Sequence, residues 1–194
     1  MQHWSYDIAD KIIARNPNKE EYVCAAGISP SGSVHIGNFR DVATSLFVVK
    51  ALQKKGKKAK LLFSWDDFDR LRKVPSNVQQ IVEGFEENIG KPYTFIKDPF
   101  GQDESYGVHF EKEFEASLEK LGVEVDARYQ TKNYTSGLYR EHIIHALNNR
   151  KQIYDILMSF KTQDANDEDR ENYYPISIYC EHSLKDNTKV LSYN

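Results

Sequence analysis

Tyr22-Val-Cys-Ala-Ala-Gly-Ile28, then Ser29-Pro-Ser-Gly-Ser33, then the apolar stretch from His35 to Lys55 closed by Gly56, is the segment on which the fold turns. A short apolar run that stops at a Ser/Pro/Gly loop predicts a buried strand and a turn. Val42, Leu46, Val49 and Leu52 recur at helical spacing, with Phe47 and Val48 beside them, so a helix follows that is apolar nearly all round and packs on a sheet. Ala59 to Trp65 repeats the strand signal. Strand, helix and strand in that order predict a parallel crossover, the nucleus of an α/β domain.

Working outward, residues 77–88 read as a helix and residues 90–103, rich in Pro, Gly and Asp, as loop. Phe110, Phe114, Leu118 and Leu121 mark a helix with Gly122 as its C-terminal cap. Val123, Val125, Ala127 and Tyr129 alternate with Glu124, Asp126 and Arg128, which predicts a third strand near a sheet edge. A long helix is expected from Ser136 to Lys161. The acidic stretch Asp164 to Glu171 reads as a solvated linker, and Tyr173–Tyr179 and Lys189–Tyr193 as two short strands of a hairpin. The division expected is 1–161 for the α/β unit, 162–172 for the linker and 173–194 for the start of a small β-hairpin insertion.

Composition sets the frame. The 194 residues are 40% apolar and 28% charged, which is the profile of a folded chain with a sizeable core. No apolar run approaches the roughly 20 residues that cross a bilayer, and the start is polar. Two distant cysteines, Cys24 and Cys180, fit a reducing compartment, so a cytoplasmic location is expected. The net charge of −3 hides an asymmetry: residues 1–75 carry 13 basic and 8 acidic side chains, a balance of +5, and the remainder 13 and 21, a balance of −8. A basic first third points to an anionic ligand, although Lys54, Lys55, Lys57, Lys58 and Lys60 are explained by a solvated helix end.

The loop between the first strand and helix, Gly27-Ile-Ser-Pro-Ser-Gly-Ser-Val-His-Ile-Gly-Asn38, presents backbone N–H groups and a helix N-terminus to an anion. It is not the dinucleotide glycine triad, and Ser33 stands where a P-loop requires lysine. His35 is either a cap of the helix or a donor to a phosphate oxygen. Trp65-Asp66-Asp67-Phe68-Asp69 follows the C-terminal end of the second strand, the ligand-binding edge of such sheets. Its carboxylates either meet a cationic amine, or hold Mg²⁺, or pair with Arg70, Arg72 and Lys73 in a solvated loop.

The tetrapeptide His35-Ile36-Gly37-Asn38 resembles the signature that opens the first helix of class I aminoacyl-tRNA synthetases. Together with His3-Trp4, Ile8-Ala-Asp-Lys-Ile-Ile13, Trp65 to Pro75, Asp98-Pro99, Glu104-Ser-Tyr106, Leu121-Gly122, Tyr173-Tyr-Pro175 and Tyr179-Cys180, it resembles class I lysyl-tRNA synthetase, the archaeal type also present in some bacteria, over essentially the whole chain. The resemblance implies an α/β fold, the first half of a class I Rossmann-like parallel sheet with flanking helices and the start of a small β insertion. It implies ATP-dependent activation of lysine to lysyl-adenylate and transfer to tRNA(Lys), with ATP and Mg²⁺ required and no membrane or DNA partner. His35 and Asn38 are then the catalytic residues. Pro30, Ser31, Gly32, Ser33, His35, Gly37 and Asn38 bind ATP, and Gly27, Ser29 and Asp66 bind lysine. Archaeal relatives carry zinc ligands in an Asp-Pro-x-Gly-Cys-His run with a later His; here Asp98-Pro-Phe-Gly-Gln-Asp103, followed by His109, lacks two of the four ligand types and Cys180 with His182 has no further partner, so no zinc site is expected.

No Lys-Met-Ser-Lys-Ser-type loop is present, so the chain reads as the N-terminal portion of a synthetase, inactive alone. The alternative is a stand-alone, non-catalytic paralogue that binds nucleotide, lysine or tRNA. A nucleotidyltransferase with a related His-x-Gly-His motif is disfavoured by the Trp65–Pro75 segment.

Overall fold

A computed structural model describes residues 3–161 and 166–193. Three parallel strands form one sheet in the order β1 (Tyr22–Ile28), β2 (Ala59–Trp65), β3 (Asp126–Tyr129). Tyr22 pairs with Ala59 and Ile28 with Trp65, while Leu62 pairs with Asp126 and Trp65 with Tyr129. The strands therefore end level, and their C-terminal edges make one platform. β1, β2 and the helix between them, α2 (Ile36–Lys54), match the sequence reading, and Gly56, at φ 74°, supplies the left-handed turn after that helix.

The core follows from the alternation in β2. Ala59, Leu61, Phe63 and Trp65 face one side and are buried, and they pack with Val42, Val49 and Leu52 of α2. Phe114 of α4 (Tyr106–Lys120) closes this layer, its ring 5.8 Å from those of both Phe63 and Trp65. One turn earlier, Phe110 and Tyr106 belong to a second cluster with Leu71, Val78, Phe85, Tyr93 and Ile96. α4 thus ties the sheet to the loop that covers its carboxyl edge. Ser105 caps it by accepting from the Val108 N–H at 3.2 Å. The N-terminal helix α1 (Trp4–Arg15), not anticipated from periodicity, lies on α2 through Ala9.

Several expectations need correction. Residues 77–88 do not form one helix: α3 spans only Ser76–Gln79, and Gly84 at φ 75° separates it from a 3-10 turn at Phe85–Asn88. The third strand starts at Asp126, because the Val123 N–H closes α4 by donating to the Leu118 carbonyl at 2.9 Å. The long helix of 136–161 is broken. α5 (Gln130–Thr135) ends at Gly137, φ 77°, and α6 (Arg140–Asn148) is separated from α7 (Arg150–Ser159) at Asn149, φ −106° and ψ 17°. In the acidic stretch, residues 162–165 lie outside the described residues, and Asp167–Glu171 form a short solvent-facing helix, α8, capped by Asn166. The predicted hairpin is absent among the described residues of 173–193, which hold no strand. That segment bonds to earlier parts of the chain instead. The Tyr179 hydroxyl donates to the Phe68 carbonyl, the Asp186 N–H donates to the Gly90 carbonyl, and Asp186 pairs with Arg70.

Candidate active site

The site is built where β1 and β2 end. After β1 the chain turns through Ser29–Ser33 into α2, and after β2 it turns through Asp66–Asp69. The Asp66 N–H donates to the Ile28 carbonyl at 3.0 Å, so the two loops leave the sheet side by side.

His35 is the N-cap of α2. Its Nδ1 accepts from the Gly37 N–H at 3.0 Å, in an extended backbone conformation of φ −94° and ψ 169°. Because Nδ1 accepts, the neutral ring carries its proton on Nε2, which becomes a donor. Both sequence-level readings of His35 are therefore compatible in one geometry: one nitrogen caps the helix and the other can donate. Gly37 is explained by the same contact. A Cβ there would lie 2.8 Å from His35 Cε1 and 2.9 Å from Nδ1. Gly37→Ala is expected to drive the imidazole off the cap and cost about 1 kcal/mol of stability, measurable by urea unfolding; wild-type stability would mean that the cap is not held by the ring. His35, Ile36, Gly37 and Asn38 are all exposed, Ile36 at 82%.

The preceding loop is anchored from beneath. Pro30 is buried, and the buried Tyr106 hydroxyl donates to the Ser31 carbonyl at 2.8 Å. Ser33 Oγ lies 3.4 Å from Glu113 Oε2. Ser29, Ser31, Gly32 and Ser33 form one wall of a cleft of about 810 Å³, whose other wall includes Asp69, Arg72, Lys73, Gln79 and Tyr93. His35, Gly37 and Asn38 stand outside that lining.

Alternation divides the Trp65–Asp69 stretch. Trp65, 0% exposed, is core, its Nε1 donating to Glu115 at 2.8 Å. Asp67, 2% exposed, accepts from the Thr131 N–H at 2.7 Å and so fixes the start of α5. Asp66, Phe68 and Asp69 instead line a second cleft of about 710 Å³, walled by Gln130, Tyr134, Tyr139 and the returning segment Pro175–Tyr179. Ser64 Oγ donates to Asp66 at 3.1 Å and is within 2.7 Å of Gln130 Nε2. Partial burial holds the Asp66 carboxyl above its ordinary range against the Ser64 hydrogen bond, and the Asp69 charge adds to the rise. Gly27 belongs here. A Cβ on it would sit 3.1 Å from the Ser64 carbonyl and 3.8 Å from Asp66 Oδ2, so glycine keeps that approach open. Ser29 Oγ lies 3.4 Å from Asp69 Oδ2.

Of the three residues expected at a lysine site, Asp66 lines this second cleft, Gly27 lies against Asp66 without lining either cleft, and Ser29 lines the first cleft beside Asp69, which borders both. Sequence reasoning gave no site role to Phe68, Gln130, Tyr134, Tyr139 or Tyr179, although Phe68 and Tyr179 stand in stretches that carry the family resemblance. Gln130 and Tyr134 stand four apart just past a strand end, a spacing that would have placed both on one helix face; for Tyr179 no local signal exists.

Below the platform, Glu111 of α4 is 4% exposed and its Oε1 has no hydrogen-bond partner among the described residues. Burial, with the nearby charges of Asp67 and Glu115, pushes its carboxyl up to about 8. Elsewhere, Asp98, Asp103 and His109, the run and the later histidine weighed above against a zinc site, bring potential ligand atoms within 4.8 Å of one another. Each is already bonded internally. Asp98 accepts from the Phe100, Gln102 and Asp103 N–H groups, and Asp103 bonds to His109 at 3.1 Å and to Lys112 at 2.6 Å. Cys180 and His182 join no three-residue ligand cluster among the described residues. No helix of the described residues is long and apolar enough to cross a membrane.

A parallel sheet with a helix-capping His-Ile-Gly-Asn at the end of its first strand is the architecture of class I tRNA synthetases, and the chain belongs to that family: residues 2–194 match the family described as tRNA synthetases class I (K). The particular proteins it is similar to are lysine–tRNA ligases. It is 40% identical over 188 residues to the lysine–tRNA ligase of Treponema pallidum (strain Nichols), covering 97% of this chain and 35% of the relative. It is 43% identical over 180 residues to that of Pyrococcus horikoshii, covering 93% and 34%, and 35% identical over 223 residues to that of Streptomyces coelicolor, covering 98% and 38%. The chain thus spans about a third of the length of these relatives.

Proposed function

We propose that this chain is the nucleotide- and lysine-binding half of the catalytic domain of a lysine–tRNA ligase, acting in the cytoplasm on lysine, ATP and tRNA(Lys). The observation that carries the reading is the pair of clefts at one sheet edge, one lined by the Ser/Gly loop and cations, the other by Asp66, Asp69 and aromatic walls. An amine is drawn to the second and a triphosphate to the first, which sets lysine's carboxylate beside the α-phosphorus. A carboxylate oxygen attacks that phosphorus, the α–β bridging P–O bond breaks, and its electron pair leaves with pyrophosphate. No covalent protein intermediate is required. His35, Gly37 and Asn38 lie outside the lining of the first cleft, so the nucleotide reaches from that cleft to the start of α2: there the Nε2–H of His35 and the amide of Asn38 donate to phosphate oxygens as charge develops, Gly37 leaves room for adenosine, and Pro30 to Ser33 close over the nucleotide. Asp69, a carboxylate in the wall of this cleft, would hold a magnesium ion there as a hard oxygen ligand. When bound it neutralises phosphate charge.

Lysine-dependent ATP–pyrophosphate exchange tests the reading. The 194-residue chain is expected to show little or none, for want of a second phosphate-binding loop; robust exchange would overturn the need for a second half. In a competent protein carrying this chain, His35→Ala is expected to slow adenylate formation at least about tenfold, equivalent to about 1.4 kcal/mol. A smaller loss would reduce His35 to its capping bond.

A further inference from the structure

Nine residues, Trp65 to Lys73, contain three acids and three bases, and mutual pairing is the simplest fate for them. The structure places them otherwise. Asp66 bonds to Ser64, Asp67 to the Thr131 N–H and Asp69 to Ser29, while Arg70 pairs with Asp186. Arg72 and Lys73 are left with no carboxylate within 4.0 Å among the described residues, and both line the cleft whose opposite wall is Ser29, Ser31, Gly32 and Ser33.

The backbone that carries these two cations is fixed on both sides. Leu71, immediately before them, is buried, donates its N–H to the Lys91 carbonyl at 2.8 Å, and accepts from the Gly90 N–H at 2.9 Å. Val74, immediately after, packs against the cluster around Val78, Tyr93 and Tyr106, and Pro75 starts α3. The same cluster holds the facing loop, through the Tyr106 hydroxyl on the Ser31 carbonyl. Cations and loop are therefore mounted on one hydrophobic unit at a set separation, which is what preorganised binding of an anion demands.

Resting on the nucleotide reading above, we propose that Arg72 and Lys73 bind the β- and γ-phosphates of ATP and stabilise the departing pyrophosphate. A polyphosphate is the anion that fits: the two adjacent cations outnumber the one carboxylate of the lining, Asp69, and the facing loop presents backbone N–H groups and hydroxyls. Arg72 supplies a planar, bidentate fork for two phosphate oxygens and Lys73 a point charge. Part of the excess positive charge of the first third of the chain thus has a ligand.

The test is titration of the chain with Mg·ATP and, separately, with AMP, comparing wild type with the double variant Arg72→Gln/Lys73→Gln. The expected result is a Kd for ATP raised at least about tenfold, the loss of two charge-assisted contacts, with the Kd for AMP changed by less than about twofold. Both side chains are exposed, so the melting temperature is expected to stay at the wild-type value; the charge-conserving Arg72→Lys/Lys73→Arg variant is expected to keep most of the ATP affinity. Unchanged ATP affinity in the Gln variant overturns the proposal, and so does an equal loss for AMP, which would move the charges to the α-phosphate. A wild-type chain that binds neither nucleotide instead overturns the nucleotide reading itself.

Discussion

Asp66→Ala is expected to raise the KM for lysine about 100-fold in a competent protein carrying this chain while moving the KM for ATP by less than about threefold, since a lost charge-assisted contact in a half-buried cleft is worth about 1.5–3 kcal/mol. The separation between the two KM values is the informative part. Asp66 lines the aromatic cleft and not the one beside the Ser/Gly loop, so its removal acts on the amine and leaves the triphosphate contacts in place. Its carboxyl is held above its ordinary range by partial burial and by Asp69, with Ser64 opposing, and no cation of the described residues lies within 4.0 Å of it. A bound ammonium relieves that burden, which is why the loss is large. Asp66→Asn, which keeps the shape and removes the charge, is expected to lose nearly as much. A lysine KM at the wild-type value would dismiss the assignment, and an equal rise in both KM values would point to collapse of the loop.

Glu111 governs the second large effect, on stability against pH. Its carboxyl is pushed from an ordinary 4.5 up to about 8 by burial first, then by the charges of Asp67 and Glu115. A raised carboxyl means that the folded protein holds a proton the unfolded chain has released. The stability is complete below about pH 4.5, falls by roughly 1.4 kcal/mol per pH unit through the window, and levels off above about pH 8. Urea unfolding of the chain is expected to show about 3 kcal/mol less stability at pH 7.5 than at pH 5.5. In Glu111→Gln most of that difference disappears, and Glu111→Met serves the same comparison with an apolar side chain. Asp66 and Asp67, both raised by burial, act in the same direction where they ionise. A wild-type profile that is flat, or a variant that keeps the whole slope, would show that Glu111 ionises freely. The unpaired Oε1 is the reason to expect otherwise.

How far the sequence could be read depended on the range of the forces involved. β1, α2 and β2 fall where the apolar runs, the Ser/Pro/Gly loop and Gly56 put them, because each is decided by neighbours a few residues apart. The same holds for α4, whose apolar spacing and capping Ser105 and Gly122 are all local. Between Ser136 and Lys161 the sequence does not announce the turns at Gly137 and Asn149, which break the expected long helix. The hairpin expected in 173–193 failed for the opposite reason: alternation is present, but its residues find their partners far back in the chain, Tyr179 on the Phe68 carbonyl across 111 residues of sequence.

The His-Ile-Gly-Asn loop, the parallel α/β nucleus and the membership of a class I synthetase family are written in the order of residues, since strand, turn and cap are each satisfied within one short segment. The fate of the charges between Trp65 and Lys73 is not. Six charged side chains in nine positions admit several pairings of nearly equal energy in water. Folding chooses among them by burying Asp67 against α5, bringing Asp186 to Arg70 and leaving Asp66, Arg72 and Lys73 facing two clefts. Long-range burial and hydrogen bonding decide which charges are spent inside the protein and which remain for a ligand, and no local pattern contains that choice.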